Sequence, residues 1–269
     1  MVIDFHVHVF PDKIAKKTVD FLQQKSGNTP SFDGSVGGFL SMLNDSKVDV
    51  AVSLPVLTRP EQFDSVLEFA INVNKRFENC DKKIISFAGI HPKSQDVKNQ
   101  LLRVKNAGIK GVKIHPDYQD TFIDDDGYFE ILSIAKELDL IVVTHAGVDS
   151  GYRNEEVKCP PNRLKKLIEK VNHKKFVLAH MGGSELPGEV LKEIAGMDVY
   201  FDTAYVLKTL SKAEFLSLCE KHGYDKILFA SDMPWSDFNA DLEIVNSYVK
   251  DGENKDKILY KNAVELLGL

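Results

Sequence analysis

The sequence predicts an α/β protein, a single (β/α)8 TIM barrel, and three observations predict it. Short apolar or β-branched runs alternate with amphipathic helical stretches eight times along the chain, the pattern of parallel strands covered by helices. No glycine-rich phosphate turn follows the first strand, where an open doubly wound sheet would usually carry one; His6-Val7-His8-Val9-Phe10-Pro11 stands there instead. The 269 residues, 43% of them hydrophobic, suffice for one large core. No linker, low-complexity tract or internal repeat divides residues 1–269 into smaller units.

The first strand is expected over residues 2–8, where Ile3, Phe5 and Val7 alternate with Asp4, His6 and His8. Side chains on a strand alternate between faces, so the apolar set is expected towards the helices and the polar set inside the barrel. A long connection follows, from residue 10 to about 35, with a helix over 13–24. Connections of that length are commonly functional, and this one leaves the end of the barrel where chemistry is done; it reads as a lid. Strands are then expected at 48–54, 84–90, 111–115, 141–145, 176–180, 199–202 and 227–231. Helical periodicity marks 61–76, 95–106, 128–138, 162–171, 186–194 and 212–222 between them, with two closing helices at 240–250 and 255–267. In the fourth strand Val112 and Ile114 face the helices, and Lys113 and His115 point inward.

Composition excludes several function classes. Lys+Arg 34 against Asp+Glu 40 gives −6 with the signs interspersed, and no basic stripe suited to nucleic acid is visible. No apolar run approaches the roughly 18 residues of a membrane span, and MVIDFHVHVF lacks the basic start of a signal peptide. Cys80, Cys159 and Cys219 are widely separated, without CxxC spacing, and read as reduced thiols of a cytoplasmic protein. Cys159 lies in a loop before two prolines, and no base partner marks it as a nucleophile.

Chemistry concentrates at the strand ends. His6 and His8 share a face, and the fifth, sixth and eighth strands finish on His145, His180 and Ser231-Asp232. An unpaired imidazole or carboxylate inside a barrel costs several kcal/mol unless a partner or metal satisfies it. Imidazoles with a carboxylate suit a zinc-like or manganese-like ion, so the constellation predicts a metalloenzyme.

Six ordered segments carry a resemblance: Ile3-Asp4-Phe5-His6-Val7-His8, Gly111-Val112-Lys113-Ile114-His115-Pro116, Thr144-His145-Ala146-Gly147, Ala179-His180-Met181-Gly182-Gly183, Tyr200-Phe201-Asp202-Thr203 and Ser231-Asp232-Met233-Pro234-Trp235. Together they resemble the amidohydrolase superfamily of metallo-dependent hydrolases, in the amidohydrolase-related branch that includes aminocarboxymuconate-semialdehyde decarboxylase and resorcylate-type decarboxylases. The resemblance implies that His6, His8, His145 and Asp232 are metal ligands and that His180 orients or deprotonates a water beside the metal, with Asp232 as a second proton acceptor. It implies one divalent ion per chain, zinc before manganese, with a second ion as the open alternative. Lys113 and His115 are the candidates for extending the site to that second ion or for touching substrate. The superfamily's metallo-deoxyribonucleases carry a glutamate at the end of the fourth strand, and this chain has none.

Around this set, Arg59, Arg153 and Trp235 are candidate substrate contacts, the arginines because they could hold a carboxylate. Asp4 reads as an orienting residue or part of a polar layer, and Asp202 as the partner of Lys113. His91 reads as pocket lining or loop packing, and His173 and His222 as helix-end residues favoured by the dipole. The expected activity is hydrolysis of a small amide, ester or lactone by a metal-activated water. Non-oxidative decarboxylation of an aromatic or unsaturated carboxylic acid is the alternative. A small-molecule substrate is the expected partner, and a homodimer is the family-level expectation.

Overall fold

The computed structural model describes residues 1–269. The strands are β1 (Ile3–Val7), β2 (Val50–Ser53), β3 (Lys83–Ser86), β4 (Ala88–Gly89), β5 (Gly111–Ile114), β6 (Ile141–Thr144), β7 (Phe176–Leu178), β8 (Tyr200–Asp202) and β9 (Ile227–Leu228). All neighbouring pairs are parallel, in the orders β1-β2-β3 and β4 through β9. The expected strand at 84–90 is therefore present but broken. β3 pairs with β2 and β4 with β5, and Phe87 at the break meets Phe5 edge to face, ring centroids 6.1 Å apart. The interior leaves no room for a further side chain beside that ring, because a Cβ on Gly111 would stand 2.7 Å from it.

A seam between the first strand and the segment after β9 closes the barrel. Phe5 N–H donates to Phe229 O at 2.8 Å, Asp232 N–H to His6 O at 2.8 Å and His8 N–H to Met233 O at 2.7 Å. The Asp4 carboxylate reinforces the seam by accepting from Ser231 N–H at 3.0 Å and from the Ser231 hydroxyl. Burial pushes the Asp4 carboxyl up to about 7, against the lowering effect of these bonds.

The expected phase of β1 holds for only half the strand. The pairing register with β2 shifts between Asp4 and Val7, where one strand carries an extra residue, and such a bulge reverses which face each later side chain meets. Ile3 and Phe5 consequently pack inward, in one buried cluster with Val143, Val177, Leu228 and Leu266. Val7 joins the larger cluster between barrel and helices. Val112 and Ile114 lie in that same outer cluster, as the alternation of β5 requires.

Helices cover the strands in sequence order: α1 (Asp12–Ser26), α2 (Val36–Asn44), α3 (Phe63–Phe77), α4 (Val97–Asn106), α5 (Asp126–Glu137), α6 (Pro161–Val171), α7 (Pro187–Glu193), α8 (Lys212–His222), α9 (Phe238–Tyr248), α10 (Gly252–Asp256) and α11 (Asn262–Leu267). Helix α2 escaped the periodicity because Gly37-Gly38 dilutes it; Ser35 caps it by accepting from Gly38 N–H. A π-turn over Lys257–Lys261 joins α10 to α11, and Leu266 and Leu267 of α11 pack on the inner cluster beneath the strands. No helix is long and apolar enough to cross a membrane.

The connection after β1 is a built structure rather than a loose excursion. Phe10 pairs with Ser35, which brings its ends together. Its tip is held over the mouth: Asn28 accepts from the Tyr205 hydroxyl at 2.8 Å and donates to Ser150 Oγ at 3.0 Å. The Lys25 ammonium lies 3.3 Å from the centre of the Tyr152 ring.

Candidate active site

The strands deliver their polar ends to one cavity of about 620 Å³, whose floor is His6, His8, Lys113, His115, His145, His180 and Asp232. His6 Nδ1–H donates to Asp202 Oδ2 at 2.8 Å, and His8 Nδ1–H donates to the Leu54 carbonyl at 2.9 Å. Both acceptors lack protons, so in each neutral ring the Nε2 carries a lone pair. These two lone pairs lie 3.2 Å apart. Asp232 Oδ1 faces them, 3.1 Å from His8 Nε2 and 3.5 Å from His6 Nε2.

Three acceptors converging this closely repel one another unless a cation lies among them, and the Lys113 ammonium reaches only His6 Nε2, at 3.2 Å. Ligand atoms about 2.1 Å from one ion stand about 3.0–3.4 Å apart, from octahedral to tetrahedral geometry. The donor set and its spacing thus fit a divalent metal. Fixing each ligating imidazole through its other nitrogen is the usual way a protein orients such ligands. Burial, aided by the nearby Lys113 charge, holds the His6 imidazole far below its ordinary range, in the neutral form a metal requires. Burial pushes the Asp232 carboxyl up, but the polar surroundings formed by His8, His6 and His180 outweigh it and bring it below the ordinary value.

His145 has other neighbours. Its Nδ1 lies 3.0 Å from His180 Nε2, while His180 Nδ1–H donates to the Ala204 carbonyl at 2.9 Å. His180 Nε2 is then the acceptor and His145 Nδ1 the donor. The other nitrogen of His145 faces Asp117 Oδ2 at 3.8 Å, and neither buried atom has a hydrogen-bond partner. His115 stacks on His145, centroids 4.3 Å apart and planes at 10°, and its Nε2 is 3.5 Å from Asp149. The floor therefore divides into His6, His8 and Asp232 on one side and His115, His145 and Asp149 on the other. Of the four expected ligands the structure gathers three, and His180 stands between them and His145.

Lys113 is 1% exposed and donates to His6 Nε2 at 3.2 Å. Burial lowers its ammonium to about 8, although Asp202 and Asp232 favour the charge. The expected Lys113–Asp202 pair does not form, because Asp202 is already committed. Besides His6 it accepts from the His180 and Ala204 backbone N–H groups, at 2.9 and 3.1 Å. Asp202 thus aligns the ends of β1 and β7 together.

The two expected arginine contacts lie elsewhere. Arg59 is exposed beside a 3-10 turn, and the Arg153 guanidinium is taken by a forked pair with Glu185. Neither lines the cavity, whereas Trp235 does. His91 accepts from Lys93 N–H within its own loop. His173 and His222 are buried and donate to the Leu140 and Val199 carbonyls at 2.8 and 2.9 Å, so they tie helix ends to strand starts rather than answering a dipole. Cys159 is fully buried, and burial drives its thiol far above the ordinary range, which removes it as a nucleophile. Sequence reading missed Asp117 and Asp149. Their only signal was a short distance after His115 and His145, and loop geometry decides what such residues meet.

His180 and Asp232 both adopt left-handed backbone, φ 59° and 71°. Non-glycine residues there are strained, and such strain gathers at sites where side-chain direction matters. The sequence pattern of the amidohydrolase family matches residues 3–269. The chain belongs to the amidohydrolase family. It is a metal-dependent enzyme.

Among solved structures this amidohydrolase is similar to a putative amidohydrolase from Staphylococcus aureus, with 18% identity, 100% of this chain and 99% of that chain covered, and a TM-score of 0.72. It is similar to 5-carboxyvanillate decarboxylase from Sphingomonas paucimobilis, with 16% identity, coverage of 100% and 99%, and a TM-score of 0.71. A dihydroxybenzoic acid decarboxylase from Polaromonas, with bound manganese and 2-nitroresorcinol, shares 13% identity over 100% and 97%, with a TM-score of 0.73. At these identities the likeness establishes the barrel. No curated protein matches the amidohydrolase in sequence.

Proposed function

We propose that this amidohydrolase catalyses the non-oxidative decarboxylation of an aromatic or unsaturated carboxylic acid. The observation that carries the reading is the segregation of the cavity. Imidazoles and the Lys113 amine gather at its floor, while Val9, Phe10, Val56, Val148 and Trp235 are among its walls, with polar groups such as Lys13, Asn28, Gln62 and Glu185 between them. A planar apolar body with one acidic edge is complementary to that arrangement. The decarboxylases of the same fold support it further, and they favour this chemistry over hydrolysis.

In this reading His6, His8 and Asp232 hold one divalent ion, zinc or manganese, with His145 as a further donor in the alternative ligand set. Bound there, the ion would hold the substrate's oxygen atoms and draw charge away from the ring. The apolar walls orient the ring and exclude water from the reacting carbon. The bond from that carbon to the carboxylate breaks, its electron pair stays on the carbon, CO2 departs, and a proton fills the vacated position. His180 is the residue set to relay that proton: its unprotonated Nε2, 3.0 Å from His145 Nδ1, takes up a proton from solvent and passes it to the carbon. Asp202 positions rather than reacts, since it fixes His6 and the His180 backbone together.

Hydrolysis of an amide, ester or lactone remains the second reading, because Asp232 is ionised and could accept a proton from water on the same floor. Metal-loaded enzyme incubated with hydroxybenzoates and with activated esters and lactones separates the two. Release of CO2 with no addition of water is expected; ester or lactone opening without any CO2 would overturn the proposal. A mass-spectrometric metal assay should give one zinc or manganese per chain, and two would bring His115, His145 and Asp149 into the ligand set.

A further inference from the structure

The cavity extends well beyond its polar floor. Its outer wall is formed by Ile14, Phe21 and Leu22 of α1 and by Val66 and Phe69 of α3, on a continuous surface with His6 and Asp232. Helix α1 carries a wider apolar arc than the core uses. Ala15 and Val19 are buried against the protein, while Ile14, Phe21 and Leu22 face the cavity, bordered on the same helix by Lys13, Thr18 and Ser26. Ile14 is 50% and Phe21 61% exposed, and apart from Ile71 the other large exposed hydrophobics are the chain ends Met1 and Leu269. Exposed apolar surface is thus concentrated at this wall instead of being scattered, which marks a place that meets apolar matter.

Size points the same way. At about 620 Å³ the cavity lies in the range that encloses drug-sized ligands, and a one-ring acid on the floor leaves the space between α1 and α3 unfilled. The pinned tip of the connection keeps α1 in place, so the space is a standing feature of the lid.

We propose that the wall between α1 and α3 is a subsite for an extended apolar substituent, an alkyl chain or a second ring, of the same substrate whose acid group rests on the floor. The inference depends on the floor being a carboxylate site. Specificity then divides physically: the floor selects the acid and the lid helix selects the tail.

Equilibrium binding of 4-alkylbenzoates, methyl through octyl, to the metal-loaded enzyme tests this by calorimetry. Affinity is expected to rise up to about fourfold per added methylene over the first several carbons, as burial of a CH2 predicts. Phe21→Ser and, separately, Ile14→Ser should reduce the octyl-to-methyl affinity ratio by about tenfold each, as loss of a large part of one buried side chain's contact predicts. Both side chains are exposed, so neither change threatens folding.

If the methyl compound binds but chain length is neutral, the subsite is overturned while the carboxylate floor stands. An octyl advantage that survives both substitutions also overturns it. Failure of every homologue to bind removes the floor reading and the subsite with it. A flat chain-length series together with a dimer that Phe21→Ser dissociates in sedimentation would assign the face to a second copy of the chain instead.

Discussion

His6 is held from both sides: one nitrogen by a carboxylate, the other facing two further acceptors and an amine. Asp202 is the residue on which that arrangement turns. In Asp202→Asn the amide cannot accept from His6 and from both backbone N–H groups as the carboxylate does. Metal affinity should fall about 10–100-fold, measured by chelator competition. His6→Ala should abolish stoichiometric metal with the fold intact by circular dichroism. His180→Ala should keep the metal and lower turnover by about 10²–10⁴-fold. Unchanged metal in His6→Ala, or near-normal turnover in His180→Ala, would dismiss the role assigned to that residue. The His-x-His spacing and the terminal Asp232 were legible because covalent spacing and strand ends restrict where such groups can point. The partners of Lys113 and Asp202 were not, since alternation gives a direction and never a distance. Arg59 and Arg153 illustrate the other limit: charge alone does not tell whether a neighbour such as Glu185 has claimed a loop arginine.

At the level of elements, β1 combines two short pieces of opposite phase. Its alternation in sequence looks regular, and the bulge that interrupts it depends on pairing with β2, which no local pattern encodes. The lower piece contributes Ile3 and Phe5 to the barrel floor, and the upper piece contributes the imidazoles. Phe5 is fully buried. Phe5→Ala should therefore cost about 3–5 kcal/mol in denaturant unfolding while leaving metal stoichiometry unchanged; loss of metal at full stability would contradict the division. Strand–helix alternation was readable throughout because each strand and helix has its own period. The break at Phe87 was not, since it reflects the hand-over from one pairing partner to the next. Helix α2 was hidden by its glycines.

At the scale of the molecule, the inner core depends on its last helix. Asn262 donates to the Tyr224 and Ile227 carbonyls, at 2.8 and 2.7 Å, and Leu266 and Leu267 pack beneath the strands. A chain ending at residue 261 should lose cooperative thermal unfolding, because the barrel's lower layer would face water. Stability should also carry a pH signature. Burial raises the Asp241 carboxyl from its ordinary 3.8 to about 7. A carboxyl that binds its proton more tightly when folded stabilises the protein most below about pH 4, and that contribution is lost as pH rises to about 7. Asp241→Asn should remove this slope and stabilise the protein by on the order of 2 kcal/mol at pH 8, with a smaller gain near pH 5, read from paired thermal melts.

The seam that closes the barrel has a consequence for the chain as a polymer. His6 and His8 stand near one terminus and Asp232 near the other, on the two strands whose pairing completes the ring. An ion shared by the three would clasp distant parts of the sequence and act as a reversible cross-link at the junction between the first and last strands of the ring. Ligand binding confined to the folded state adds its binding free energy to stability. Amide exchange at Phe5, His8 and Asp232 should accordingly slow on metal loading more than exchange at the β6–β7 junction across the barrel. Equal slowing at both would show that the ring does not open at its seam.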